Sequence, residues 1–157
     1  MSIRLRQSTV EDTPAVASIW YHGWRDGHLG HVPEAVAEVR TEASFGVRAA
    51  DRITDTTVAT VDGVVAGFIM VVGDEVEQVY VHSSFRGSGV ATALLDEAER
   101  QVAAGGHDRC WLAVVGGNVR ARRFYERQGW VDEGPFDYHA ASGIVVPAQR
   151  YTKALHP

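Results

Sequence analysis

The stretch that most constrains this chain is residues 75–102, where three patterns follow one another without a gap. Glu75 to His82 (EVEQVYVH) alternates with period two, which predicts a strand carrying Glu75, Glu77, Val79 and Val81 on one face and Val76, Gln78 and Tyr80 on the other. From Ser88 onward Val90, Ala91, Leu94, Leu95, Ala98 and Val102 recur at helical spacing, opposite Asp96, Glu97, Glu99 and Arg100. Between the two lies Arg86-Gly87-Ser88-Gly89-Val90-Ala91. A glycine loop that opens a helix presents free backbone N–H groups and the positive end of the helix dipole together, which makes an anion site. Gly87 and Gly89 remove side chains that would hold a phosphate away, and Arg86 adds a charged donor, so a pyrophosphate suits the loop.

The loop fits neither common nucleotide fingerprint. No Lys-Ser/Thr pair follows the glycines, which excludes a Walker-type NTPase, and Thr92 stands where a third Rossmann glycine belongs. The dinucleotide fingerprint also belongs in a first βαβ unit, whereas three strands and two helices come before this strand.

The remaining elements follow from periodicity and punctuation. Ile3 and Leu5 alternate with Arg4 and Arg6 as a first strand. Thr9, Asp12 and Pro14 open a helix carrying Ala15, Val16, Ile19 and Trp20, which should fade before Gly27 to Gly30, and a second short helix opens at Pro33 with Val36 and Val39 inward. Thr56 to Val61 and Val64 to Val72 form a hairpin about Asp62-Gly63, and the 75–82 strand extends it to a three-strand meander. Gly105-Gly106 ends the long helix. Cys110 to Val115 is a short apolar strand, Asn118 caps a helix carrying Ala121, Phe124 and Tyr125, and Gly129 stops it. Trp130 to Tyr138 and Gln149 to Leu155 supply two last strands. The order is βααβββαβαββ in a single domain over residues 1–157, with a right-handed parallel crossover from the 75–82 strand to the 110–115 strand.

Composition narrows the partners. Fifteen Lys+Arg against twenty Asp+Glu give a formal net charge of −5, without the positive field that nonspecific nucleic-acid binding needs. One cysteine, Cys110, excludes an intramolecular disulfide framework. The amino terminus has no apolar run after its basic residues and no stretch is long enough to span a bilayer, so no membrane partner and a cytoplasmic location are expected. Against the acidic balance, Arg120, Arg122, Arg123 and Arg127 face only Glu126 in the helix after Asn118, a basic island suited to an anionic cofactor.

These residues resemble the GNAT superfamily of acetyl-CoA-dependent N-acetyltransferases. Val79-Tyr80-Val81-His82-Ser83-Ser84-Phe85-Arg86-Gly87-Ser88-Gly89-Val90-Ala91 is similar to that family's strand and Arg/Gln-x-x-Gly-x-Gly/Ala loop, with Ala91 where many members have Gly. Leu112-Ala113-Val114, Asn118, Ala121, Phe124-Tyr125-Glu126 and Gly129-Trp130 are similar to its second block. The resemblance implies an α/β (α+β) fold: a mixed, mainly antiparallel sheet of six to seven strands, flanked by four helices, with a splayed strand pair that holds acetyl-CoA. It further implies that the backbone at Val79, Tyr80 and Val81 binds the pantetheine arm. Arg86, Gly87, Ser88, Gly89, Val90, Ala91 and Thr92 would take the pyrophosphate, Asn118 and an arginine such as Arg123 would contact the cofactor, and Tyr125 would be the general acid.

Glu75 and Glu77 are candidate bases because a carboxylate on this strand can take the amine's proton through water. Solvated glutamates at a strand's entry are the plain alternative, as a core aromatic pair is for Phe124-Tyr125. Trp20, Tyr21, His22, Trp24, His28 and His31 crowd into the first helix and the loop behind it, so Trp20, His22, Trp24 and His28 are candidate acceptor-binding residues, with Tyr138 and His139 as the other wall. The histidine spacing matches no metal-ligand pattern, so no metal is expected. Three functions stay open. The chain is an N-acetyltransferase of a small-molecule or amino-acid-like amine, a non-catalytic acyl-CoA-binding module, or an acetyltransferase of a protein N-terminus or aminoacyl-tRNA; a homodimer is compatible with each.

Overall fold

The computed structural model describes residues 2–139 and 144–155. Its strands are β1 (Ile3–Gln7), β2 (Thr56–Val61), β3 (Val64–Val72), β4 (Glu75–Val81), β5 (Arg109–Val114), β6 (Val131–His139) and β7 (Val145–Ala154). Its α-helices are α1 (Thr13–His28), α2 (Glu34–Val39), α3 (Glu42–Asp51), α4 (Val90–Ala104) and α5 (Val119–Arg127). The strands form one seven-stranded sheet in the order β1-β2-β3-β4-β5-β7-β6, antiparallel except where β4 meets β5. The expected mixed, mainly antiparallel sheet is present, and the turn between β2 and β3 takes φ of 51° at Asp62 and 83° at Gly63, as a primed two-residue hairpin demands.

Apolar side chains from both faces of the sheet find a helical layer. On one face Val16, Ile19, Trp20 and Trp24 of α1, Val36 of α2 and Phe45 and Ala49 of α3 pack with Val58, Phe68 and Met70. On the other, Val90, Leu94, Leu95, Ala98 and Val102 of α4 and Tyr125 of α5 pack with Ile69, Val76, Leu112 and Tyr151. Burial on both faces explains why the central strands carry near-continuous apolar runs.

The structure departs from the expectations in three places. A fifth helix, α3, fills the segment between α2 and β2, capped by Thr41, whose hydroxyl accepts the Ser44 N–H at 3.2 Å. Val39 is exposed rather than inward, because the α2 helix lasts only six residues and Val36 alone reaches the core. Helix α1 also continues through Gly27 to His28. Gly27 does not stop it: a Cβ there would sit 2.6 Å from Asn118 Nδ2, so the glycine lets α1 lie against the start of α5.

Close approach also governs Gly67 on β3. A Cβ at this position would stand 2.7 Å from the Tyr80 carbonyl oxygen and 3.0 Å from Leu94 Cδ1, so backbone as well as side chain would have to yield. Gly67→Ala is expected to destabilise the fold by about 1–3 kcal/mol, the usual cost of overpacking. Chemical denaturation checks this, and an unchanged midpoint and slope would show that β4 moves aside freely.

Candidate active site

The site begins with a sheet that fails to close. β4 and β5 share one register pair, Glu75↔Trp111, pinned by the Trp111 N–H donating to the Asp74 carbonyl at 3.1 Å and by Trp111 Nε1 donating to the Asp74 carboxylate at 3.1 Å. Beyond it the strands diverge, β4 staying on β3 through Gly67↔Val81 and β5 on β7 through Val114↔Gln149. In β4 the register passes from Val71↔Val76 to Met70↔Gln78, which leaves Glu77 as a bulge residue. A bulge sharpens local twist and bends its strand, so it helps turn β4 away from β5. It also breaks the expected alternation. Val76 joins Val79 and Val81 against the α4 face, and Glu75 and Glu77 do not share that face with them.

Two cavities open from this wedge. The larger, of about 440 Å³, is lined by Val79, Tyr80 and Val81 of β4, by Arg86, Gly87, Gly89, Ala91 and Thr92, and by Asn118, Phe124 and Tyr125 on the α5 side. Gly87 and Gly89 have φ of 75° and 93°, which L side chains rarely adopt, and a Cβ at Gly87 would meet nothing within 4 Å. The loop thus presents backbone to open space at the start of α4, a geometry suited to an anion. Arg86 donates to Asp26 of α1 at 2.8 Å, and since both groups are exposed this pair is weak enough for an incoming phosphate to displace.

The smaller cavity, about 150 Å³, lies on the α1–α3 side and is lined by Trp20, Trp24, His28, Arg40, Arg48, Glu75, Glu77 and Tyr138, among others. Val79, Tyr80, Asn118, Ala121 and Tyr125 line both cavities. Tyr125 is buried, with its ring tilted against Phe124, Trp130 and Tyr151, and burial pushes its phenol well above the ordinary value. It therefore carries its proton at neutral pH. Asn118 caps α5 by accepting the Ala121 N–H at 3.3 Å.

The two glutamates differ in surroundings. Glu77 accepts from Arg52 at 3.0 Å, and that arginine also holds Asp55 at 2.9 Å. Glu75 accepts the Tyr138 hydroxyl at 2.9 Å, and burial, ahead of the opposing effect of that hydrogen bond, raises its pKa. On α1, His28 stacks on Trp24 with ring centroids 5.2 Å apart, and its Nδ1 lies 3.0 Å from the Trp24 carbonyl. The contact assigns the proton to Nδ1, because a carbonyl only accepts.

Several expected site residues lie elsewhere. His22 is exposed on the outer side of α1 and lines neither cavity, because Trp20 and Trp24 take the inward positions of that helix. Arg123 points to solvent, while Arg120 and Arg127, one turn to either side, line the larger cavity. The Ser88 hydroxyl donates to the Phe85 carbonyl and the Val90 side chain is fully buried in the core, so neither side chain faces the space above the loop. His139 is exposed and does not join Tyr138 in the wall. Arg40, just after α2, and Arg48 of α3 line the smaller cavity without having been expected there. The signal was Thr41 ahead of Glu42, with Phe45 and Ala49 at helical spacing.

A splayed parallel pair in an antiparallel sheet, with a glycine loop and a buried tyrosine on the two sides of the gap, forms a cleft open to a ligand from both faces of the sheet. The sequence profile of the acetyltransferase (GNAT) family matches residues 16–130, and the chain belongs to that family; it is an acyltransferase. Uncharacterised N-acetyltransferases of Mycobacterium tuberculosis and Mycobacterium bovis are 32% identical over 111 residues, covering 65% of this chain and 71% of theirs. A GCN5-related N-acetyltransferase from Rhodopseudomonas palustris superposes with a TM-score of 0.77 at 24% identity, covering 99% of this chain and 97% of its own. The PaiA N-acetyltransferase of Thermoplasma acidophilum, in complex with coenzyme A, gives 0.74 at 19% identity, covering 98% and 99%. A putative acetyltransferase of Salmonella typhimurium, with its cofactor acetyl-CoA, gives 0.72 at 18% identity, covering 100% and 96%. Among the described residues no helix is long and apolar enough to cross a membrane.

The environment of His28 has a consequence for stability. Burial pushes its pKa down to about 4, while in the unfolded chain the imidazole titrates near ~6.5. The unfolded state therefore binds the extra proton first, and stability falls as pH drops from about 6.5 towards 4. His28→Phe should flatten this part of the thermal melting profile relative to the parent. Equal acid slopes for the two proteins would place the imidazole in water.

Proposed function

We propose that the protein transfers an acetyl group from acetyl-CoA to the primary amine of a small-molecule or amino-acid-like acceptor. The observation that carries this reading is the meeting of the two cavities at Tyr125, Asn118 and Tyr80, in the gap between β4 and β5. Acetyl-CoA supplies an activated thioester. The inner edges of β4 and β5 lack each other as hydrogen-bond partners beyond Glu75↔Trp111, and an amide-bearing pantetheine arm can satisfy such an edge as an added strand would. The amides at Gly87 to Ala91 and the Arg86 side chain hold the pyrophosphate, with Arg120 and Arg127 adding positive charge along the same cavity. The fit rests on the open loop with its positive-φ glycines and on the unpaired strand edges.

The acceptor enters from the α1–α3 side. Only a free amine attacks, so one proton leaves the ammonium, and Glu75, directly or through water, receives it. Its half-buried position and raised pKa suit a base better than the arginine-paired Glu77. As the C–N bond forms and the C–S bond breaks, the Tyr125 hydroxyl gives its proton to the departing sulfur, and the amide product's surplus proton returns the tyrosine to its starting state through solvent.

Two substitutions separate these roles. Tyr125→Phe should lower kcat by about 10²–10⁴-fold, the range of general acid–base catalysis, while acetyl-CoA affinity measured by calorimetry stays within a few-fold. CoA release with a panel of amines reads kcat. Acetyl-CoA binding without turnover of any amine by the parent would replace the enzyme by a binding module. Gly89→Glu, which adds bulk at φ 93° and a negative charge at the loop, should abolish acetyl-CoA binding, and unchanged affinity would remove the loop from the donor site.

A further inference from the structure

The smaller cavity is lined by two arginines, Arg40 and Arg48, that make no ion pair among the described residues. Arg48 of α3 lies with its guanidinium carbon 4.1 Å from the centroid of the Trp20 ring and 5.1 Å from that of Phe45. Its Nη1 is buried and has no hydrogen-bond partner among the described residues, and the same is true of Trp20 Nε1. Arg40, at the end of α2, is half-buried in the same wall and makes no ion pair among the described residues. Glu77, in the same wall, is paired with Arg52 at 3.0 Å. The other carboxylate in the wall, Glu75, accepts the Tyr138 hydroxyl and pairs with neither arginine among the described residues. His28 has its Nδ1 on the Trp24 carbonyl and is held neutral by burial, so it adds no opposing charge.

Buried donors are almost always satisfied, and a cation kept from water is expected to be paired. Two guanidiniums lining one small cavity, beside a tryptophan whose indole N–H has no partner among the described residues, call for acceptor atoms with negative charge, and a planar fork suits a carboxylate or phosphoryl oxygen pair. The aromatic faces of Trp20 and Phe45 already fix the Arg48 plane, so little freedom is lost when an anion arrives. Arg40 and Arg48 line the same cavity as Tyr80, which lines both cavities, so the positive region lies on the side of the gap from which the amine would attack.

We propose that the acceptor is an amine that also carries an anionic group, a carboxylate or a phosphonate-type group, and that Arg48 and Arg40, with the Trp20 indole N–H, bind that group while the amine faces Tyr125. This rests on the acetyltransferase reading for its reaction, but the anion site itself does not. It makes Arg48 and Arg40 specificity-determining residues.

The test compares three matched sets of acceptors, α-amino acids, the corresponding aminoalkyl phosphonates, and the amino acid carboxamides, with acetyl-CoA as donor. The parent should favour one of the two anionic sets over the carboxamides by roughly 30- to 1000-fold in kcat/KM, and the better set names the anion. In Arg48→Gln and Arg40→Gln that ratio should collapse, mostly through KM, with Arg48→Lys restoring part of it and calorimetric acetyl-CoA binding reporting that each variant is folded. Equal turnover of charged and uncharged acceptors by the parent would overturn the inference and leave the acetyltransferase intact. Should no amine be turned over, the acetyltransferase reading falls, and tryptophan fluorescence decides the anion site alone. Saturable quenching by glutarate or methylphosphonate that is lost in Arg48→Gln supports it, and no saturable response in the parent overturns it.

Discussion

The structure depends on where one strand pairing stops. β4 and β5 are held together at Glu75 and Trp111 and nowhere further along, while each remains bonded to its outer neighbour. Because buried backbone groups must be paired, an open wedge in the middle of a sheet is costly unless something else enters it. The wedge is kept open from both ends. The Asp74–Trp111 contacts fix its apex, the Glu77 bulge turns β4, and the Leu112, Val114 and Tyr151 packing keeps β5 with β7. Every residue assigned to the site is placed by reference to that gap: the glycine loop prolongs one arm, Tyr125 and Asn118 come from the helix that follows the other, and α1 crosses the opening.

Small residues set how closely α1 can cross. A Cβ at Gly23 would lie 2.4 Å from the Tyr80 ring and one at Gly27 2.6 Å from Asn118, so these two glycines, one turn apart, let the helix press on both arms of the wedge. The same helix supplies Trp20, Trp24 and His28 to the acceptor cavity and Asp26 to Arg86 beside the donor loop. The two cavities are therefore connected through one element. Charge is divided between them as well: Arg86, Arg120 and Arg127 border the donor cavity, whereas Arg40 and Arg48 border the other, inside a chain whose net charge is −5.

The elements around the larger cavity are legible in the sequence because their signals are local. A strand, two glycines, an amphipathic helix and an asparagine cap are contiguous signals, and each fell on the element expected of it. Glu77 shows what is not local. Its alternation with Val79 is correct for a regular strand, and only the register of β4 on β3 reveals the extra residue that moves Val76 to the other face. The acceptor half failed for a related reason. α3 has a mixed face in which Phe45 and Ala49 are buried and Arg48 lies against tryptophan, so the helix reads as polar until the packing partner is known. His22 and Arg123 lie on the outer sides of their helices, since clustering in sequence does not tell which side of a helix meets the cavity.

The proposed docking of the donor would lay its amide-bearing arm along the unpaired edge of β4. Backbone amide hydrogen exchange at Val79, Tyr80 and Val81, followed by NMR with and without acetyl-CoA, addresses it directly. At least one of these amides should exchange freely in the unliganded protein and become strongly protected at saturating acetyl-CoA, with little change on the outer strand β1. Tight acetyl-CoA binding that leaves exchange along Val79–Val81 unaltered would contradict the account, and would place the donor outside the wedge.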